Sequence, residues 1–371
     1  MNRILGFTAL RPRELTEPLE AAGYEGTIVD VDAQRSLPVR VFEQIQRGLR
    51  DPVDDPDVVL VYNGTGVLGI VSLLFGWYYS AAVLVRVNGD VFRQHREKVE
   101  EFSDGDRYVA ALLYSLLGTA TRLTYSRADA FLVVSEELGR IVRSETNCPE
   151  SRIAVVHNPV PDVAPPNDAE LPIDVSEHDR ILLTVTNLNY EGKFEGVKRI
   201  IDGIGTVLPE GVGYIVAGGG VYLQELRSYI NETVPEARDR IHVPGYVDDV
   251  ELLYDVADVF VYVSHIDGYP NAVLEAQAAE LPVVANEAHG MVEQIDDGRS
   301  GLLVDLDENA AIVAAVQRLL AEPDLRRRLG TEARRRVEHE NAPERIGAEM
   351  LASIDAVLAD ERRRSPPTPT P

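Results

Sequence analysis

The chain alternates short, continuous apolar runs with longer stretches of helical pattern, and this alternation limits its fold more than any other feature. In the first part the runs are "NRILGFT" from Asn2, "GTIVDV" from Gly26, "DVVLVY" from Asp57, "AVLVRV" from Ala82, "AFLVV" from Ala130 and "IAVV" from Ile153. A Pro- and Asp-rich stretch follows, "NPVPDVAPPNDAELPIDVSEHD", which reads as a linker. The alternation then restarts with "ILLTV" from Ile181, "YIVA" from Tyr214, "IHV" from Ile241, "VFVYV" from Val259, "PVVA" from Pro282 and "LLV" from Leu302. A strand wetted on one face alternates apolar and polar residues. A continuous run is buried on both faces, and strands separated by helices pair in parallel. The expected fold class is therefore α/β, with two doubly wound domains of similar size. The expected boundaries are 1–160 for the first domain, 161–180 for the linker and 181–342 for the second domain. A C-terminal helix at 343–362 and a disordered tail at 363–371, "RRSPPTPTP", follow. Ligands of such sheets sit outside the carboxyl ends of the strands, so the cleft between the two domains is the default site.

Composition narrows the function. The formal net charge is −25, which argues against nucleic acid, since phosphate binding needs a basic footprint. Only Lys98, Lys193 and Lys198 are lysines among 36 basic residues. An acidic surface nearly free of Lys fits life in molar salt, where self-repulsion is screened. A GC-rich genome would also favour Arg. Cys148 is the sole cysteine, which fits a reducing compartment. The N-terminus reads as a first strand and not as a signal peptide, so a cytoplasmic location is expected. No charge occurs from Val58 to Val85, but "YNGTG" interrupts that segment, so strand, turn, helix and strand are expected there in place of a membrane span. The helix from about Val67 to Tyr79 ends in Trp77, Tyr78 and Tyr79, a composition suited to peripheral membrane contact, although packing on the sheet is the ordinary reading.

The stretch "DGYPNAVLEAQAAELPVVANEAHG" places Asp267 just before a helix and Glu275 one turn inside it. Pro270 suits the first helical position, and the N–H groups and dipole that follow make an anion site. Glu275 then lies about 8 Å along the axis and leans back toward the N-terminus. A diphosphate at the helix start would bring its ribose near Glu275, whose carboxylate only accepts hydrogen bonds. Asp267 would meet a sugar beyond the diphosphate. In the ordinary reading Asp267 answers the helix dipole and Glu275 is a solvated residue. "LLTVTNLNYEGKFEGVKRI" places Lys193 in the loop after a strand and Lys198 on the next helix; Lys is a compact charge suited to phosphate.

The blocks "NLNYEGKFEG", "VAGGGVYLQEL", "VPGYVDDVELLYDVADVFVYVSHIDGYPNAVLEAQAAELPVVA" and "HGMVEQIDDGRSGLLV" resemble glycosyltransferase family four. Weaker echoes are "SRADAFLVVSEEL" and "IAVVHNPV". The resemblance runs from about Ile181 to Glu340 and, more weakly, from Tyr125 to Val160. It implies the GT-B architecture, two Rossmann-like domains facing a cleft. It also implies a retaining hexosyl transfer, without metal, from a nucleotide-diphosphate sugar to a glycan, a lipid-linked saccharide or a small molecule. Together with the composition it suggests a halophilic archaeon. By that resemblance Glu275 holds the ribose, the backbone of Gly268, Tyr269, Pro270 and Asn271 meets phosphate and sugar hydroxyls, and Lys193 meets the diphosphate. Gly245, Tyr246 and Val247 face the base, and the helix at 343–362 crosses back to the first domain. The catalytic pair is expected to be Lys193 and Asp267. Arg86, Asn88 and Asp90 are expected to line the cleft from the first domain. The chain departs from the family at three points: Asp267 stands where Glu is usual, Asn187 where Arg is usual in the donor site, and Asn88-Gly89 where His-Gly is common.

Two other readings compete. "NGTGVLG" gives Gly64, Gly66 and Gly69 in dinucleotide spacing with Asp90 about 20 residues later, the pattern of an NAD- or FAD-dependent oxidoreductase. The departures at Asn187 and Asp267 would also suit a non-catalytic GT-B binding module. The acid pair Asp30 and Asp32 mimics a metal site but fits a strand end, and no metal is expected.

Overall fold

The computed structural model describes residues 3–8, 13–30, 36–50, 55–105, 107–161, 163–164, 170–205, 207–308 and 310–364. All twelve apolar runs form strands, divided between two six-stranded parallel sheets. The chain divides into two compact units, Met1–Pro159 with Ala342–Pro371, and Val160–Asn341.

The first unit contains β1 (Arg3–Thr8), α1 (Arg13–Ala21), β2 (Glu25–Asp30), α2 (Leu37–Arg50), β3 (Val58–Tyr62), α3 (Gly66–Tyr79) and β4 (Ala82–Val87). It continues through α4 (Val91–Asp104), α5 (Tyr108–Arg127), β5 (Ala130–Val133), α6 (Glu136–Thr146) and β6 (Ile153–Val155). The strand order is β2-β1-β3-β4-β5-β6, so the connection reverses direction between β1 and β3. Residues alternate between the two faces of each strand. Phe7 and Val83 face α3, where Phe7 and Phe75 rings are 5.2 Å apart. Ile4, Leu60 and Leu84 join the opposite core with Leu15 and Leu19 of α1.

The second unit runs through β7 (Arg180–Val185), α7 (Glu191–Ile204), β8 (Val212–Ala217), α8 (Leu223–Thr233), β9 (Ile241–Gly245), α9 (Glu251–Val256) and β10 (Val259–Tyr262). Then follow α10 (Asn271–Ala278), β11 (Val283–Asn286), α11 (Met291–Gln294), β12 (Leu302–Val304), α12 (Ala311–Ala321) and α13 (Pro323–Glu340). Its strand order, β12-β11-β10-β7-β8-β9, reverses between β7 and β10. A crevice forms where loops leave adjacent strands in opposite directions, so this is where such a sheet holds ligands. Leu171, Ile173 and Val175, from the stretch read as a linker, pack against this unit's core.

The last helix, α14 (Pro343–Arg364), belongs to the first unit. Ile346, Met350, Ile354 and Leu358 recur every four residues and form one buried stripe against α1 and the first sheet. Each such side chain contributes roughly 1.5–3 kcal/mol when removed from water. Most of the tail read as disordered, residues 365–371, lies outside the described residues, as does Asp32 of the acid pair. Among the described residues no helix is long and apolar enough to cross a membrane.

Candidate functional site

The site is assembled where the second sheet reverses direction. Tyr190 caps α7, and its carbonyl accepts hydrogen bonds from the N–H groups of Lys193 and Phe194, each at 3.1 Å. Lys193 therefore stands in the first turn of α7 and not in the loop before it, a correction to the sequence reading. Gly192 and Gly196 lower helix propensity, but here they serve packing. A Cβ on Gly196 would lie 2.0 Å from the carbonyl oxygen of Val263, so the helix rests directly on the chain leaving β10.

That chain carries Asp267. Its Oδ1 lies 3.0 Å from Lys193 Nζ, with both side chains only 16–17% exposed. Its Oδ2 accepts a 2.6 Å hydrogen bond from the Tyr262 hydroxyl. Burial pushes the Asp267 carboxyl up. The Lys193 ammonium and hydrogen bonds from Tyr262 and Ser264 outweigh it and hold the carboxyl below the usual aspartate range. Burial and the Asp267 charge push the Tyr262 hydroxyl well up, so it remains a donor.

The other acid is held in a similar way. Glu275 lies in the second turn of α10 and accepts a 2.7 Å hydrogen bond from the hydroxyl of Tyr254, a buried residue of α9. Burial, then the charge on Glu275, raise the Tyr254 hydroxyl far above its ordinary value. Pro270 occupies the cap of α10, one residue before the first helical position, so the helix proper starts at Asn271. The Pro270 carbonyl accepts from Gln294 Nε2 at 3.0 Å, which ties the helix start to α11. A Cβ on Gly290 would lie 1.7 Å from the Gly268 carbonyl oxygen, so the backbone before α11 touches the backbone before α10.

The remaining donor-side residues are spread along the same end of the sheet. Asn187 is exposed and folds back, its Oδ1 accepting from Asn189 N at 3.0 Å and Asn189 Nδ2 at 2.7 Å. The Gly245 carbonyl accepts from Gly218 N at 2.7 Å, which brings the ends of β8 and β9 together, and the Tyr246 side chain stands 75% exposed beside them. The Tyr269 side chain is buried, and its hydroxyl accepts from Asn341 Nδ2 at 3.1 Å; only its backbone is left for a ligand. Lys198 pairs with Glu195 at 2.8 Å and lies over the rings of Phe194 and Tyr229, a packing position.

Of the three first-unit residues, Arg86 needs correction. Arg86 is fully buried. Its guanidinium donates to the carbonyls of Val156 and His157 and to Asn158 Oδ1, and burial lowers its pKa to about 10. It fastens β4 to the chain after β6 and lines no open surface. Asn88 Nδ2 donates to Glu14 Oε2 at 2.8 Å and to the Tyr62 hydroxyl, which itself donates to Glu14. Asp90 caps α4 by accepting from Arg93 N at 2.9 Å, so its carboxylate has a structural partner. The glycine turn of the dinucleotide reading is filled by protein. Gly66 N donates to Thr121 Oγ1 at 2.9 Å, and a Cβ on Gly69 would meet Thr124 Oγ1 at 2.4 Å. The threonines of α5 occupy the place a pyrophosphate would need.

Sequence reasoning missed Tyr262, Tyr254, Glu14 and Tyr62. The first two read as ordinary core residues in "VFVYV" and "ELLYDV". The only available signal was that Tyr262 ends a strand beside the acid loop.

Residues 179–322 match the family model described as "Glycosyl transferases group 1". That segment is similar to the glycosyltransferases of group 1. Among curated proteins, this chain is 29% identical over 115 residues to the capsular polysaccharide biosynthesis glycosyltransferase CapM of Staphylococcus aureus, covering 31% of this chain and 30% of CapM. It is 24% identical over 269 residues to an uncharacterized glycosyltransferase of Methanocaldococcus jannaschii, covering 67% of this chain and 64% of that protein. The chain thus spans about a third of one relative and just under two thirds of the other. The crystal structure of Anabaena HepE in complex with UDP and glucose superposes with a TM-score of 0.70 at 14% identity, covering 96% of this chain and all of HepE. That likeness establishes the GT-B fold of two Rossmann-like domains. In this matched segment, Lys193, Asp267 and Glu275 all stand at the carboxyl end of the sheet.

Proposed function

We propose that the protein is a retaining glycosyltransferase that moves a hexosyl group from a nucleotide-diphosphate sugar to a glycan or lipid-linked saccharide acceptor. The observation that carries this reading is the placement of a cation and two carboxylates around one helix start, at the switch point of the second sheet. Lys193 and Asp267 meet before α10, and Glu275 lies one turn inside it. In this reading the start of α10 receives the diphosphate, Glu275 takes the ribose hydroxyls and Lys193 stabilises charge on the leaving diphosphate. Gly268 to Asn271 contact phosphate and sugar through backbone, Gly245 to Val247 border the base, and Asp267 orients the transferring sugar. Asn187 contributes no charge, so Lys193 carries that role without a metal. HepE holds UDP and glucose, which supports uridine diphosphate sugars as the first donors to test. The lysine-poor, acidic composition supports a cytoplasm rich in salt.

The test is a thermal-shift panel in molar KCl followed by a transfer assay. A UDP- or GDP-sugar at 100 times its dissociation constant should stabilise the protein by about 2.7 kcal/mol, and NAD should not. Stabilisation by NAD(H) alone would return the oxidoreductase reading. Donor binding without any transfer would favour the non-catalytic module.

A further inference from the structure

On one face of the first sheet, helices α2, α3 and α5 carry their large apolar residues outward. They lie side by side: the Tyr79 hydroxyl of α3 donates to the Gly48 carbonyl of α2 at 3.3 Å, and Gly66 N of α3 donates to Thr121 of α5. The inward side of α5 is built from small and polar residues, Ala111, Gly118, Thr121 and Thr124, with Tyr125 the one large side chain at its end. Its outward side presents Leu112 and Leu116, 62% and 58% exposed. This is the reverse of an ordinary surface helix. Trp77 on α3 is 81% exposed and Phe42 on α2 is 64% exposed. Of the seventeen exposed large apolar side chains among the described residues, thirteen lie on these three helices. Single exposed apolar residues are normal, but a contiguous field of them marks a docking surface.

Charge identifies the partner. The chain as a whole is strongly acidic, yet α2, α3 and α5 together hold five arginines and one acid, Glu43, with a further arginine, Arg107, at the cap of α5. Arg47, Arg50 and Arg127 are exposed; Arg107 and Arg122 reach Glu101 and Glu145 of neighbouring helices at 3.4 and 3.9 Å. An isologous pair of copies through this face would set arginine against arginine. A bilayer with anionic headgroups instead offers apolar depth and negative charge together, and Trp, Tyr and Arg are the residues that sit at that boundary. We propose that this face docks the protein on an anionic lipid bilayer, with Trp77 and the α5 leucines entering the headgroup boundary and the arginines meeting lipid phosphate. Binding of this kind lies in the interface and needs no spanning helix. It does not depend on the donor reading of the second unit.

Trp77 is the chain's only tryptophan, so its fluorescence reports on this face alone. The full chain is mixed with vesicles of phosphatidylglycerol or of phosphatidylcholine in the same buffer, floated, and its emission recorded. Flotation with phosphatidylglycerol and a blue shift of Trp77 are expected, with weaker binding to phosphatidylcholine. Leu112→Asp with Leu116→Asp should lower vesicle binding by about tenfold or more, and Arg47→Ala with Arg50→Ala should lower it chiefly on the anionic vesicles. Circular dichroism and donor binding confirm that these surface variants are folded. Failure to float with either lipid, or a Trp77 emission that does not move, overturns the proposal. Equal binding to both lipids overturns its anionic part. A dimer in sedimentation velocity that the Asp variants dissolve would assign the face to a second copy.

Discussion

Lys193 Nζ and Asp267 Oδ1 lie 3.0 Å apart and join the first turn of α7 to the loop after β10 across the switch point of the second sheet. The loops of two strands 77 residues apart in sequence, those after Leu182 and Val259, thereby share one charge pair. Both residues proposed to act on the donor are each other's partner before any donor arrives.

Lys193→Ala should lower turnover by about 10²–10³, with a smaller loss of donor affinity. It also strands the Asp267 carboxylate, so the melting temperature should fall as well. Lys193→Ala with Asp267→Asn should restore the melting temperature without restoring turnover. Lys198→Ala, which removes only a pair with Glu195 and packing on two rings, should change turnover little. Steady-state kinetics and melting curves with one donor check all four proteins. Recovery of activity in the double variant would show that Lys193 acts only by holding the loop.

Glu275→Gln should weaken donor binding by about 1.5–3 kcal/mol with the fold intact. Tyr254→Phe removes the 2.7 Å hydrogen bond that orients Glu275 and should cost about 0.5–1.5 kcal/mol in the same measurement. Calorimetry giving unchanged affinity for both would make Glu275 a solvated helix residue.

The depressed Asp267 pKa has a pH signature. A carboxyl stabilised in its charged form contributes stability above its unfolded pKa of about 3.9 and loses it as pH falls through the lower native value. Wild type should therefore exceed Asp267→Asn in unfolding free energy by a constant margin from about pH 7 to pH 5. The margin should shrink below about pH 4. A margin independent of pH down to 3 would contradict the pairing.

Arg86→Met should destabilise the first unit by about 3–5 kcal/mol, because it leaves the Val156 and His157 carbonyls without their charged donor. Donor affinity should not change. Urea unfolding together with calorimetry separates this from a role in binding.

Removing salt should unfold the protein. With a formal charge of −25, repulsion is screened within about 3 Å at 1 M salt and reaches about 10 Å at 0.1 M. Melting should rise from 0.1 M to 3 M KCl. A flat curve would leave the arginine excess without a link to salt.

The fold was legible in the sequence because strands buried on both faces must be continuously apolar, and that pattern is local. All twelve runs became strands, and their alternation with helices implied parallel sheets. The helix at Asn271, the acid before it and the acid inside it were likewise local, readable from a proline, a glycine and an apolar run. What each side chain faces was not local. Lys193 read as a residue of the loop after a strand, yet it stands in a helix whose Gly196 lies against Val263 and whose Gly192 lies against Ile266. Arg86, one residue from the end of a strand, read as open to ligand until the chain after β6 closed over it. Tyr262 and Tyr254 became the holders of the acids only when β10 and α9 were packed beside α10. Hydrophobic patterning is written along the chain, whereas hydrogen-bond and charge partners are chosen by which ends of which strands the topology makes neighbours.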